Sequence, residues 1–291
     1  LEDLPFFPST IFKHTSLSSS KNDFKTIKSS GTSSQIKSTI FLDKENAKRQ
    51  TIVLGKILSY IFGKKRKPFL VVDADPSVDY KNNELSARFA GMSGYLMAAS
   101  RKTYILSNSE NNLDLDIDEL KEILVDYSHD NQPLVMIGYT YLIFEKLLLK
   151  LESENCKISL PKDTIFVHFG GWKKLKDKKI SKVKLNKLIE KYLNIKNGNI
   201  VDIYGFTEQL GTVYPSHGAK GSRVPAYSEV IVRDTQTLKP VRDGDVGFLQ
   251  FISPIPISYP GLSILNDDLG RIVSRINNKV EFEVIGRPED A

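Results

Sequence analysis

A hydroxyl-rich turn and a hydroxyl–carboxylate pair are the features of this chain best suited to chemistry. The turn is Ser29, Ser30, Gly31, Thr32, Ser33 and Ser34, and the pair closes the run Tyr204, Gly205, Phe206, Thr207 and Glu208. Small residues with hydroxyls and exposed backbone N–H groups are what a polyphosphate needs around it. A hydroxyl beside a carboxylate can hold a phosphate oxygen and its Mg2+ ion. Together the two segments point to nucleotide chemistry. No glycine-rich loop ending in Gly-Lys-Ser/Thr occurs, so it is not chemistry of the Walker kind. Each segment taken alone is also compatible with a solvated turn, or with a strand end followed by an acidic helix start.

Order along the chain strengthens both. Gly170, Gly171 and Trp172 follow a strand-like run, where backbone without Cβ can lie flat against a planar base. Asp267, Asp268, Leu269 and Gly270 precede another such run, and Arg287 stands in the closing Gly286-Arg287-Pro288-Glu289-Asp290. A carboxylate for ribose hydroxyls with an arginine nearby would complete a nucleotide site.

Other catalytic sets are missing. The four histidines, His14, His129, His168 and His217, offer no i,i+4 metal pair, and no serine sits in a nucleophile elbow. His168, just before Phe169 and Gly170 at a strand end, is the one histidine placed where α/β sheets gather ligands. Cys156 is the only cysteine, which excludes an internal disulfide and a cysteine-rich zinc site and fits a reducing cytoplasm. No apolar stretch approaches the about 20 residues of a membrane span. The longest, 142–151, is broken by Glu145, Lys146 and Lys150. The chain starts at Leu1 rather than Met, which leaves a preceding segment or a removed signal open.

The basic excess, 41 against 35 acidic residues, sits largely in Lys64, Lys65, Arg66, Lys67 and the lysines of 173–187. No aromatic residues alternate with them as stacking platforms, so they read as solvated turns and helix faces, and no nucleic-acid partner is expected.

These residues must be held by elements, and the apolar pattern supplies them. Helical periodicity runs over 47–61, 85–98, 117–126, 141–151 and 181–193, and strand-like runs over 69–72, 103–106, 134–137, 164–169 and 200–204. That alternation predicts an α/β fold with a largely parallel sheet over residues 1–212, where 1–50 form an irregular lead-in anchored by Leu4, Pro5, Phe6, Phe7, Ile11 and Phe12. From 213 to 291 the pattern changes to short strands at 226–234, 246–252, 270–276 and 279–285, with turn signals between and no helix. This half reads as a small β-subdomain, of distorted-barrel type.

In this order the motifs resemble the adenylate-forming superfamily of acyl-CoA synthetases, luciferases and peptide-synthetase adenylation domains. More narrowly, the chain resembles the acyl-protein synthetase family typified by the bacterial bioluminescence enzyme that activates fatty acids. The narrower likeness rests on Leu4-Pro5 with Ile11-Phe12-Lys13, Phe24-Lys25-Thr26 before the serine turn, and Phe41-Leu42-Asp43 after it. Gly170-Gly171-Trp172-Lys173-Lys174 and Tyr204-Gly205-Phe206-Thr207-Glu208-Gln209 complete it, so it covers nearly the whole chain.

The resemblance implies an ATP- and Mg2+-dependent ligase that joins a carboxylic acid, expected to be a fatty acid, to AMP. The acyl group then passes to a thiol: a protein cysteine, an acyl carrier or coenzyme A. An acyl reductase or acyltransferase is an implied partner. Ser29, Ser30, Gly31, Thr32 and Ser33 would wrap the β- and γ-phosphates, Gly170, Gly171 and Tyr204 would frame the adenine, and Trp172 and Gly205 would belong to the same nucleotide-binding set. Thr207 would touch the α-phosphate, Glu208 would bind Mg2+, and Asp268 with Arg287 would hold the ribose. The alternative is a degenerate fold of this kind that binds nucleotide or acyl group without turnover.

Ser34 departs from the glycine common at that point in the superfamily. The chain also stops at Ala291, where the superfamily's small C-terminal domain would begin, and Cys156 does not match the family's acceptor cysteine. The expectation is therefore a large adenylate-forming domain ending at a hinge.

Overall fold

A computed structural model describes residues 1–19, 25–29, 36–77, 83–109, 112–129, 133–218 and 220–287. The chain forms two compact units: Leu58–Ile203 with Ser216–Lys220, and Leu1–Ile57 with Tyr204–Pro215 and Gly221–Ala291.

The first unit is the α/β part. Strands Ala99–Tyr104, Lys67–Val72, Val135–Tyr139, Ile165–Phe169 and Ile200–Tyr204 lie side by side in that order, each pair parallel, with Tyr214–His217 next to the last. Phe69, Leu70, Val71, Val135, Met136 and Val167 are fully buried. Such continuous apolar runs are what a sheet covered on both faces requires. Helices Asn83–Leu96, Ile117–His129, the 140–153 segment and Lys182–Leu193 supply the crossovers. Leu120, Leu124 and Tyr127 from one helix and Leu185, Ile189 and Leu193 from another enter the same core. Lys182–Leu193 is bounded as its residues dictate: Ser181 accepts the Lys184 N–H, and Asn194 closes it in the left-handed region at φ 53°.

Two expectations are adjusted here. The strand read at 103–106 spans Ala99–Tyr104, because the N–H groups of Ile105 and Leu106 turn back to the carbonyls of Val71 and Asp73. The apolar helix read at 141–151 is π-helical over Ile143–Leu148.

The second unit is β-rich. Its sheet runs Ser222–Arg223, Lys279–Gly286, Ser263–Ile276, Gly247–Ile252, Glu229–Arg233, all antiparallel, and no helix follows residue 212 among the described residues. The strand path is open, with Ser222–Arg223 and Glu229–Arg233 as its ends, and so is not a closed barrel. The strand read at 270–276 begins at Ser263, so Asp267 and Asp268 lie within it and not before it.

The N-terminal residues belong to this β-rich unit, not to the α/β part as the expected boundary at 212 had it. Phe7 and Pro8 pair with Ile264 and Leu265, and Phe12, Ile40 and Leu42 share a core with Tyr259 and Ile264. The lead-in is also more regular than its composition suggests. Lys25–Lys28 and Thr39–Leu42 form an antiparallel pair, and Lys44–Phe62 is a helix.

Gly211 is needed where the chain passes that helix. Its φ is +88°, and a Cβ there would fall 2.8 Å from the Cα of Gln50. Gly211→Ala combines left-handed strain with overpacking and should cost about 2–4 kcal/mol of stability, read from denaturant midpoints. An unshifted midpoint would contradict that packing.

Candidate functional site

Tyr204 ends its strand, Phe206 stays extended at φ −146°, and Thr207–Gln209 form a single 3-10 turn. No helix starts at Glu208. The turn tucks the Glu208 side chain inward, leaving the residue 7% exposed. Burial raises its carboxyl above the usual range, with Asp267 adding to that, while hydrogen bonds from the Ser38 hydroxyl and its own N–H, and the charge of Lys13, oppose it. A divalent cation would supply the missing compensation. Among the described residues no group of three or more His, Cys, Asp or Glu forms an all-protein metal cage. A lone carboxylate fits Mg2+, which is typically held by one or two carboxylates together with substrate phosphates. Thr207 is half-buried beside it.

Asp268 is tied to the Tyr204 segment. The Tyr204 hydroxyl donates to Asp268 Oδ2 at 2.7 Å and accepts from Asn266 Nδ2 at 3.0 Å. Arg287 Nε lies 3.5 Å from Asp268 Oδ1. Burial raises the Asp268 carboxyl, and Tyr204 and Arg287 pull it back. The Tyr204 ring stacks on Phe251 at 5.6 Å and 27°, and packs edge-on to Phe282, so one face of it is taken by the unit's own core. Gly205 is exposed, and a Cβ there would sit 3.3 Å from Val213 Cγ1.

The serine turn lies between strands Lys25–Lys28 and Thr39–Leu42. Ser29 closes its base: the Ser29 N–H donates to the Ser38 carbonyl at 2.9 Å, and Ser29 Oγ accepts the Ser38 N–H at 3.0 Å. Ser30, Gly31, Thr32 and Ser33 lie outside the described residues. Neither Ser38 nor Asn266 stands out in the sequence; each is recognised only by its partner.

In the α/β unit, Gly170 has φ +76° and would bring a Cβ within 3.1 Å of the Tyr139 ring, so glycine suits this strand exit. Gly171 is exposed, with nothing within 4 Å of a Cβ placed there. The Trp172 ring packs edge-on to Phe144 at 5.0 Å and joins the unit's core.

His168 sits just before this exit and is 3% exposed. The Thr140 hydroxyl donates to the Phe169 carbonyl at 3.2 Å and so accepts from His168 Nδ1 at 3.0 Å. Asp202, across the strand pair, lies 3.6 Å from the same nitrogen and 2.8 Å from Lys182 Nζ. Burial alone would raise the Asp202 carboxyl, but His168 and Lys182 outweigh it and hold it below its usual range.

For His168, burial lowers the pKa; Asp202 opposes this and Lys182 reinforces it. The native imidazole therefore binds its proton less readily than the unfolded one, which titrates near 6.5. Stability is expected to be full above about pH 7 and to fall, by up to about 1.4 kcal/mol per pH unit, as pH drops below 6.5 toward the folded pKa. Urea midpoints between pH 8 and 5 check this, since His168→Gln should flatten the slope. An equal slope in the variant would assign it elsewhere.

Known proteins share this fold. Over 90% of the chain the fold matches an ATP-bound chimera of MatB (TM-score 0.56, 14% identity, 47% of that chain). An anthranilate CoA ligase bound to anthranoyl-AMP matches over 91% (TM-score 0.57, 13% identity, 47% of that chain). The chain thus spans about half the length of these adenylate-forming structures. It is 22% identical over 276 residues to the long-chain-fatty-acid–luciferin-component ligase of Aliivibrio fischeri and 23% identical over 275 residues to that of Vibrio harveyi. Each alignment covers 93% of this chain and 69% of the relative. The family profile of LuxE acyl-protein synthetases matches residues 1–291, and on that full-length match the chain belongs to the acyl-protein synthetase family.

Proposed function

We propose that this chain carries the nucleotide-activating part of an ATP-dependent ligase that converts a fatty acid to its acyl-adenylate for transfer to a thiol. The observation that carries this reading is the buried Glu208 beside Thr207, on a turn against which the strand leaving the serine turn packs. Family membership and the fatty-acid ligases among the relatives support it.

The chemistry asks little of protein nucleophiles. A carboxylate oxygen of the substrate attacks the α-phosphorus of ATP, and the bond to pyrophosphate breaks in line. What the site contributes is alignment and charge stabilisation. Thr207 is the proposed donor to the α-phosphate, Asp268 and Arg287 the proposed hold on the ribose, and Ser29 with the turn after it the proposed cradle of the outer phosphates. Glu208 is the proposed Mg2+ ligand, and the ion when bound would offset charge on the phosphate oxygens. Gly170 and Gly171 retain the proposed part of a flat wall for a planar base, with Trp172 bracing it from the core.

The acceptor thiol is proposed as a protein cysteine, an acyl carrier or coenzyme A, with an acyl reductase or acyltransferase downstream. The cytoplasm is the proposed compartment; no helix among the described residues is long and apolar enough to cross a membrane. Exchange of labelled pyrophosphate into ATP, run with a panel of carboxylic acids of increasing chain length, tests the reading. Acid-dependent exchange that rises with chain length is expected. Tight ATP binding with no exchange for any acid would favour a module that binds without turnover.

A further inference from the structure

Gln209 closes the run that carries Thr207 and Glu208, and no step of the chemistry above uses it. It is fully buried, and its side-chain amide makes three hydrogen bonds inside the β-rich unit. Nε2 donates to the Phe251 carbonyl at 3.2 Å and to the Gly261 carbonyl at 3.1 Å, and Oε1 accepts from the Tyr214 hydroxyl at 3.1 Å. Nε2 thus meets two groups that can only accept, which settles which way the amide faces. The anchors are firm. Phe251 is fully buried in a strand paired on both sides, and the Gly261 N–H donates to the Tyr259 carbonyl at 2.7 Å.

The turn adds little hold of its own. Thr207–Gln209 is a single 3-10 turn with no side-chain hydrogen bond at its N-cap, and the Gln209 N–H reaches the Phe206 carbonyl only at 3.3 Å. The hydrogen-bond geometry of such turns is poor.

We propose that Gln209 is the positioning residue of this turn, its amide clamping the backbone beside Glu208 and so aiming the carboxylate at the divalent cation of a bound nucleotide. The inference rests on the ATP-dependent reading above. A carboxylate ligand is only as well placed as the backbone that carries it, and the partners behind that backbone set its direction.

Methionine matches glutamine in length and lacks its hydrogen bonds, and Gln250 supplies a matched control. Gln250 is equally buried; it accepts from Arg233 Nε at 2.6 Å and donates to the Ser263 hydroxyl at 2.8 Å and the Leu4 carbonyl at 3.4 Å, none of them in the turn. Gln209→Met and Gln250→Met should both lower the unfolding temperature, since each leaves buried polar partners unpaired. Only Gln209→Met should reduce the Mg2+-dependent gain in ATP affinity, by roughly ten- to a hundredfold. Calorimetric titration with and without Mg2+, well below both unfolding temperatures, reads that gain. Tyr214→Phe removes one of the three bonds and should reduce the gain roughly threefold, about what one neutral hydrogen bond contributes. It carries the comparison if Gln209→Met does not fold.

A wild-type Mg2+ gain in Gln209→Met, or in Tyr214→Phe where Gln209→Met does not fold, would overturn the proposal and leave the nucleotide reading intact. An equal loss in Gln250→Met would do the same, because it would make the effect one of general stability. A wild-type chain with no Mg2+-dependent ATP binding would overturn both.

Discussion

Glu208→Gln is expected to abolish most of the Mg2+-dependent gain in ATP affinity and to slow acyl-adenylate formation by roughly 10²–10³. The amide keeps the size and shape of the carboxylate but removes the charge a divalent ion needs. The fold should tolerate the change well. Burial already disfavours the charged form of Glu208, so a neutral side chain relieves that penalty, and the variant is expected to unfold at the same temperature as wild type or higher. Calorimetry with and without Mg2+, pyrophosphate exchange and a thermal scan together test all three parts. Undiminished Mg2+ dependence would place the ion on another group. Lost activity with a lowered unfolding temperature would mean that Glu208 serves packing.

The second large effect is expected at Asp268. Asp268→Ala should weaken ATP binding by about 1.5–3 kcal/mol, the range for a hydrogen bond involving a charged group. The structure adds a complication to resolve in the same experiment. Asp268 Oδ2 already accepts from the Tyr204 hydroxyl, so the alanine variant also strips a buried hydroxyl of its acceptor. Tyr204→Phe isolates that contribution, because it removes the internal bond and leaves the carboxylate in place. If Asp268 binds ribose, Tyr204→Phe should lower stability slightly and keep ATP affinity within a few-fold, whereas Asp268→Ala lowers both. Equal ATP affinity in wild type and Asp268→Ala would end the ribose assignment and turn attention to Asp267, which is held by the Ser9 hydroxyl at 2.7 Å.

The α/β pattern and the switch to strands after residue 212 were legible in the sequence because both depend on local periodicity. The 69–72 and 134–137 runs are apolar on both faces, which a covered parallel strand requires, and they appear as such. The family was legible too, since the Tyr204–Glu208 run, the serine turn and the glycine pair are short, contiguous and ordered. What the sequence did not contain was the pairing of distant segments.

Phe7 and Pro8 join Ile264 and Leu265 across some 250 residues, and nothing in a short apolar strip says which strand it will lie beside. Asp267 and Asp268 read as preceding a strand, since two adjacent carboxylates disfavour one. Their strand holds because the Ser9 hydroxyl, Tyr204 and Arg287 meet the charges. Ser38 and Asn266 are a small and a polar residue in unremarkable surroundings, and their importance lies in the distant partners they meet, Ser29 and the Tyr204 hydroxyl. Residue types and spacing along one strand or turn determined which chemistry was available. The tertiary structure alone decided which groups are desolvated and which partner each one meets, because burial and hydrogen bonding are set by residues far apart in the chain.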